Sequence, residues 1–132
     1  MASRIPAQSP VRHTFVVATI LIVDDHPSFR ATARAILEAD GFQVVGEAED
    51  GTSALDAVHR LRPDIVLLDV QLPDMDGFTV ATTLGANGTM PTIVLTSSRD
   101  AADFGPLVGA CGARGFVPKA ELSGAALHAV LR

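Results

Sequence analysis

The sequence is poor in several features that mark particular classes of protein. Its single cysteine, Cys111, cannot form a disulfide bond within the chain, which fits a reducing, cytoplasmic environment. Ten basic residues stand against fifteen acidic ones, so the net charge is -5, and the basic residues form no stripe. The most apolar segment, residues 15–23, is much too short to cross a bilayer, which takes about 20 residues. We therefore expect a cytoplasmic protein that neither inserts into a membrane nor binds nucleic acid directly.

What the chain does contain is typical of one compact domain. Its 132 residues leave room for little more than one domain, and 48% of them are hydrophobic, enough for a buried core. Residues 1–14 include Pro6 and Pro10 and no acidic residue, and we expect them to form a flexible tail. The remaining residues, 15–132, are predicted to form the domain, with no second domain after it.

The apolar segment at residues 15–23 has two interpretations. It follows Arg4, Arg12 and His13, so it resembles the charged start and apolar middle of a signal peptide. However, it continues into Asp24 and Asp25 and lacks a cleavage site of small residues. We favour the second interpretation, in which the end of the segment is a buried strand.

From Thr19 onward, short β-branched runs alternate five times with longer helical patterns. Strands are predicted near residues 18–23, 43–48, 65–68, 92–96 and 115–117, and helices near 28–40, 50–62, 77–84 and 123–131. Between the last two strands, Gly105-Pro106 interrupts the pattern, and proline costs about 3 kcal/mol in a helix interior. That helix therefore either begins near Pro106 or is broken and mobile. Repeated βα units predict a doubly wound α/β fold with a five-stranded parallel sheet of order 2-1-3-4-5.

The central strand ends at an aspartate. Residues 65–68 are apolar without alternation, which is typical of a strand covered on both faces, and Asp69 follows them directly. The next residues, from Leu72 to Gly77, have the proline and glycine of a loop. Asp69 is therefore expected at the carboxyl edge of the sheet, where open α/β folds bind their ligands.

Two further acids, Asp24 and Asp25, end the first strand, which is next to the third in the predicted order. Three carboxylates at one place repel one another, and a divalent cation relieves the repulsion. Oxygen ligands favour Mg²⁺, so we predict a magnesium site. In the alternative interpretation, Asp24 and Asp25 only cap the next helix and Asp69 only begins a turn.

Two more polar residues lie at the ends of the fourth and fifth predicted strands. Thr96 ends the fourth strand, and Lys119 follows the fifth. Lys119 is the only lysine among the ten basic residues, which suggests that a compact ammonium is needed there, although chance is the alternative. A hydroxyl and an ammonium around a carboxylate with Mg²⁺ are suited to phosphoryl transfer onto that carboxylate.

The combination resembles the receiver domain of two-component response regulators, a flavodoxin-like fold. The resemblance rests on the order Asp24-Asp25, Asp69, Thr96, Lys119 at successive strand ends, with Leu72-Pro73-Asp74-Met75-Asp76-Gly77 after the middle aspartate. It implies that residues 15–132 are a stand-alone receiver domain without an output domain.

The resemblance also implies a role for each matching residue at the metal. Asp69 matches the residue that accepts the phosphoryl group. Asp25 and Asp69 match direct Mg²⁺ ligands, Asp24 matches the acid that acts largely through water, and Gln71 matches the residue whose backbone carbonyl binds the metal.

Three other residues match the switch of the family. Thr96 matches the hydroxyl that moves onto the phosphoryl group, and Lys119 matches the partner of the phosphoryl oxygens. Phe116 matches the aromatic residue that turns inward as Thr96 shifts. The phosphate would come from a histidine kinase or phosphotransfer protein. The output would be a homodimer or another protein bound at the last two helices, so the protein is a signalling switch rather than an enzyme.

Three alternatives remain at this point. A metal-dependent phosphohydrolase of the haloacid-dehalogenase type requires Asp-x-Asp, and Asp69-Val70-Gln71 lacks the second acid. A flavin or nucleotide binder of the same fold requires a glycine-rich loop after the first strand, and none is present. A degenerate receiver that acts as an interaction module without phosphorylation is the third alternative, although all the residues needed for phosphorylation are present.

Overall fold

The computed structural model describes residues 17–88 and 91–132, in which strands and helices alternate along the chain. The predicted tail, residues 1–14, lies outside the described residues. Within these described ranges, the five strands are β1 (Thr19–Val23), β2 (Gln43–Ala48), β3 (Ile65–Asp69), β4 (Thr92–Ser97) and β5 (Gly115–Pro118). The five α-helices of the same residues are α1 (Pro27–Ala39), α2 (Gly51–Leu61), α3 (Gly77–Ala86), α4 (Leu107–Ala110) and α5 (Gly124–Leu131). Short 3₁₀ helices occupy Ala101–Phe104 and Lys119–Glu121.

The strands form one sheet of order β2-β1-β3-β4-β5, and all four neighbouring pairs are parallel. This confirms the predicted doubly wound fold. In the register, Val23 of β1 pairs with Leu68 of β3, and Asp69 pairs with Thr96 of β4. Thr96 in turn pairs with Val117 of β5. The register therefore brings the carboxyl ends of four strands to the same edge.

The central strand is buried on both faces, as its sequence indicated. Val66 and Leu68 belong to one hydrophobic cluster, which includes residues of α2 and α3, whereas Ile65 and Leu67 belong to a second one, which includes residues of α1 and α5. Full burial of an aliphatic side chain contributes about 1.5 to 3 kcal/mol. A continuous apolar run is stable here because helices cover both faces of the sheet.

Side-chain caps fix where three of the helices begin. Asp50 accepts a hydrogen bond from Ser53 N (2.8 Å) at α2, and Asp76 accepts one from Thr79 N (2.8 Å) at α3. Ser123 does the same for α5, accepting from Ala126 N at 2.9 Å. Such a cap is worth about 1 kcal/mol. The cap at α3 orients the helix that follows the loop after Asp69.

The segment between β4 and β5 is interrupted, as Gly105-Pro106 predicted. The 3₁₀ helix Ala101–Phe104 ends at Gly105, whose φ of 57° is one that glycine adopts readily. Pro106 then precedes α4, where its missing N–H is not needed. The interruption is confirmed, and the mobility of this segment stays a prediction.

Helix α3 is slightly longer than predicted. Helix α3 continues through Gly85 to Ala86, two residues beyond the predicted end at Leu84, and the left-handed Gly88 (φ 75°) follows it. In the described part of the chain, no helix has the length and hydropathy of a membrane span.

Candidate functional site

Two buried aspartates lie side by side at the carboxyl edge of the sheet. Asp24 follows β1 directly and is completely buried, and Asp69, the last residue of β3, is only 2% exposed. Asp25 lies beside them with 37% of its side chain exposed. Buried carboxylates require partners, because an isolated charge is costly in the interior. The predicted acids are therefore together, and their partners define the site.

The main partner is Lys119, which follows β5. Its Nζ lies 2.6 Å from Asp24 Oδ2 and 3.2 Å from Asp69 Oδ2. The same ammonium lies 4.6 Å from the centre of the Phe29 ring in α1, a cation–π contact. Lys119 thus reaches across β4 and β3 to both buried acids, from the far edge of the sheet.

The two buried acids differ in their pKa values. Burial raises the pKa of Asp69 to about 6, and the negative charge of Asp24 raises it further. The Gln71 N–H, 3.1 Å from Asp69 Oδ1, and the Lys119 ammonium lower this pKa but do not outweigh burial. Burial opposes ionisation of Asp24 as well, but hydrogen bonds from Lys119 and His26 outweigh it and lower its pKa. Asp24 is consequently the stable partner of Lys119, and Asp69 is the carboxylate that gains most from a further cation.

The donor set fits a divalent cation. Asp24, Asp25, His26 and Asp69 can each offer one atom, and these atoms lie within 4.8 Å of one another. Three carboxylates against the single ammonium of Lys119 leave a charge of about -2, which a divalent ion balances. Gln71 lies next to this group, since its backbone N–H donates to Asp69 Oδ1. The residues present therefore suit Mg²⁺.

Thr96 and Phe116 lie on the two strands beside Asp69. Thr96 is completely buried, and among the described residues its Oγ1 has no hydrogen-bond partner. Phe116 is half-buried, and its ring lies 5.9 Å from that of Phe104, which lies 5.6 Å from that of Phe78. Phe116 therefore belongs to a row of three aromatic rings that links β5 to α3.

The loop after Asp69 is bound to the start of α2, a feature that sequence reasoning missed. Asp74 accepts hydrogen bonds from Gly51 N (2.7 Å), Thr52 N (2.9 Å) and Thr52 Oγ1 (2.8 Å). The backbone N–H groups of Gly51 and Thr52 lower the pKa of Asp74 to about 2. Met75 packs so closely on Gly51 that a Cβ there would overlap it. These contacts hold the loop that carries Gln71.

Sequence reasoning also missed His26 and Arg30. His26 Nδ1 lies 3.0 Å from Asp24 Oδ1 and 3.1 Å from Asp25 Oδ1. Arg30 donates from Nη1 to the carbonyl of Asp24 (2.7 Å) and from Nε to Glu47 (2.9 Å). The position of His26 next to two acids was an available signal, whereas nothing in the sequence pairs Arg30 with the end of β1.

Comparisons of the sequence and of the fold with known proteins point to the same family. Residues 20–132 match the family described as the response regulator receiver domain. The fold is similar to the signal receiver domain of NarL from Mycobacterium tuberculosis, with a TM-score of 0.78 and 32% identity over 87% of this chain and 97% of that one.

Longer proteins match over part of their length. The nitrate/nitrite response regulator protein NarP of Escherichia coli is 42% identical over 102 residues, 76% of this chain and 47% of NarP. The DNA-binding response regulator MtrA of Mycolicibacterium smegmatis is 44% identical over 86 residues, 64% of this chain and 36% of MtrA. The chain thus spans between about a third and half of the curated relatives that it matches.

Proposed function

The chain belongs to the family of response regulator receiver domains, and on that basis we propose that Asp69 accepts a phosphoryl group from a phosphohistidine donor. The observation that carries the proposal is the position of Asp69, buried at a strand end with Lys119 Nζ 3.2 Å from its Oδ2. A buried carboxylate with a raised pKa and a fixed ammonium beside it is suited to nucleophilic attack on phosphorus.

In the proposed reaction, a carboxylate oxygen of Asp69 forms a bond to phosphorus, and the bond from phosphorus to the donor's imidazole nitrogen breaks. Lys119 neutralises a phosphoryl oxygen, and its ion pair with Asp24 keeps the ammonium in place. Asp24, Asp25 and Asp69, with the Gln71 carbonyl, would hold Mg²⁺. When bound, Mg²⁺ supplies further neutralisation of the phosphoryl oxygens.

The proposed switch uses Thr96 and Phe116. A phosphoryl group on Asp69 offers acceptor oxygens next to β4, where the buried Thr96 hydroxyl has no partner within the described part of the chain. A hydrogen bond to a charged group contributes about 1.5 to 3 kcal/mol, enough to shift a balanced equilibrium. Movement of Thr96 would then free space for Phe116 and disturb its contact with Phe104.

The proposed partners follow from the family. The phosphoryl donor is a histidine kinase or phosphotransfer protein, and the output is a protein contact, through a second copy or another protein. Residues 15–132 act as the receiver domain in this proposal. Relatives such as MtrA carry names that include DNA binding, so the expected lack of direct nucleic-acid binding stays a prediction.

Incubation of the full chain with a small phosphodonor and Mg²⁺ tests the proposal. We expect one acid-stable, base-labile phosphate per chain by intact mass, lost in Asp69→Asn and kept in Asp56→Asn, which changes an exposed aspartate of α2. Continued release of inorganic phosphate over many turnovers would instead indicate a phosphohydrolase. No incorporation at all would indicate a degenerate receiver and refute the proposal.

A further inference from the structure

His26 adds a nitrogen donor to a group of carboxylates. Its Nδ1 lies 3.0 Å from Asp24 Oδ1 and 3.1 Å from Asp25 Oδ1, and the group of candidate donor atoms also includes Asp69. We infer that the pocket also binds a borderline first-row transition-metal ion, with Zn²⁺ as the probe, and that His26 is the donor that discriminates it from Mg²⁺. The inference rests on the proposed function, because both ions would use the same carboxylates.

The distances suit a shared ion. Oxygen and nitrogen ligands of Zn²⁺ lie about 2.0 to 2.2 Å from the metal, so neighbouring ligand atoms of a tetrahedral site are about 3.3 to 3.6 Å apart. The separations of Nδ1 from the two carboxylate oxygens, 3.0 and 3.1 Å, are slightly shorter than this. A small expansion of the group would therefore be enough to hold the ion.

The backbone orients His26 for this role. Asp24 is completely buried, and its Oδ1 also accepts the backbone N–H of His26 at 2.8 Å. The imidazole itself is 63% exposed, so an ion can reach it from solvent. At helix α1, His26 occupies the residue before the first turn, but its side chain makes no capping hydrogen bond. The ring is therefore directed to the acids rather than to the helix.

The two ions differ in what they gain from an imidazole. Mg²⁺ takes oxygen ligands and keeps several waters, whereas Zn²⁺ binds imidazole nitrogen strongly. If His26 only donated a hydrogen bond to its neighbours, replacing it would affect the two ions alike. If the His26 imidazole ligates the metal, replacing it should weaken the binding of Zn²⁺ alone. The two ions should also compete, because both would bind the Asp69 carboxylate.

The test compares Zn²⁺ and Mg²⁺ affinities of the full chain by calorimetry, at a pH above the ordinary imidazole value. The variant is His26→Asn, because asparagine is a good residue to precede a helix and its amide can still donate to both carboxylates. The matched control is His59→Asn, on the exposed face of α2. Asp69→Asn shows whether the ions bind in this pocket, since it should weaken the binding of both Zn²⁺ and Mg²⁺.

We expect His26→Asn to weaken Zn²⁺ binding on the order of tenfold and to leave Mg²⁺ affinity within about twofold. His59→Asn should change neither. In ¹⁵N spectra, Zn²⁺ should shift the Nδ1 resonance of His26, and Mg²⁺ should not. Equal effects on both ions, an unchanged Zn²⁺ affinity, or an unshifted Nδ1 resonance would overturn the inference. Binding of neither ion would overturn the proposed magnesium site as well, whereas normal Mg²⁺ binding would leave that site intact.

Discussion

Lys119 Nζ lies closer to Asp24 Oδ2, at 2.6 Å, than to Asp69 Oδ2, at 3.2 Å. The ammonium is therefore held mainly by the acid that is not expected to react. Burial lowers the pKa of Lys119, but its contacts with Asp24 and Asp69 outweigh burial and raise it, so the charge is secure. This arrangement leaves Asp69 only partly neutralised and available to a phosphoryl group or a metal.

Replacing Lys119 with methionine should destabilise the protein in metal-free buffer. Removing one partner of a buried ion pair leaves the other uncompensated and costs about 3 kcal/mol. Asp24, completely buried and closest to the ammonium, would be the main unpaired group, and Asp69 would be the other. The measurement is the free energy of unfolding in urea at neutral pH. Adding Asp24→Asn to the variant should restore about half of the loss, because the charge of Asp24 is then removed and only that of Asp69 still lacks the ammonium. If the double variant were no more stable than Lys119→Met alone, the ion pair would not explain the effect.

The pH dependence of stability should report the raised pKa of Asp69. Its ordinary value is 3.8 and its folded value about 6, so the unfolded chain releases this proton first as the pH rises. Asp69 therefore reduces stability progressively between about pH 4 and pH 6. Asp69→Asn should be more stable than the wild type above pH 6, by on the order of 1 to 2 kcal/mol after allowance for solvent screening.

Urea unfolding across this pH range, without divalent ions, measures the difference. The two proteins should converge below about pH 4, and Mg²⁺ should reduce the advantage of the variant because it stabilises the Asp69 carboxylate. Asp56→Asn, on an exposed side chain, should follow the wild type throughout. A difference that did not vary with pH would mean that Asp69 titrates normally.

Gly77 should not tolerate a side chain. A Cβ there would overlap the backbone carbonyl oxygen of Asp69, and backbone cannot move aside as a flexible side chain can. Gly77→Ala should therefore destabilise the protein by about 1 to 3 kcal/mol and weaken Mg²⁺ binding, since it displaces Asp69. Gly109→Ala is the matched control: nothing lies within 4 Å of its Cβ, and it should stabilise α4 by up to about 1 kcal/mol. Equal tolerance at both positions would contradict the close packing at Asp69.

The sequence was sufficient for the fold because the relevant signals are local. The unbroken apolar run at residues 65–68 indicated an interior strand, and parallel strands end at one edge. From this alone, Asp24, Asp69 and Lys119 could be expected to meet. The break at Gly105 was equally readable, because proline fixes its φ and lacks an N–H, while glycine destabilises a helix interior wherever it occurs.

The contacts that support the site were not predictable in the same way. Asp74 was assigned to a loop, but its binding to Gly51 and Thr52 depends on how that loop packs against α2. Arg30 reaches the carbonyl of Asp24 only because α1 passes over the end of β1. Both contacts depend on side-chain direction between separate elements, which periodicity and residue type do not specify.

Thr96→Val should separate the resting state from the switch. Valine keeps the shape of threonine and removes a buried hydroxyl that has no partner among the described residues, so the unphosphorylated variant should be as stable as the wild type, or up to about 1 kcal/mol more stable. After phosphorylation of Asp69, the variant lacks a hydrogen bond worth about 1.5 to 3 kcal/mol, which corresponds to roughly 10- to 100-fold in the switching equilibrium. Phosphate incorporation should persist, whereas the change in amide chemical shifts at Phe104 and Phe116 should be largely lost.

The control for Thr96 is Thr82→Val on the exposed side of α3, where the hydroxyl donates to the Phe78 carbonyl at 2.9 Å. Its loss should leave both incorporation and the chemical-shift response unchanged, because this hydroxyl serves only its own helix. Two outcomes would contradict the role of Thr96. A full response in Thr96→Val would show that the hydroxyl does not transmit the signal. A loss of more than about 1 kcal/mol before phosphorylation would show that the hydroxyl already has a partner in the resting state.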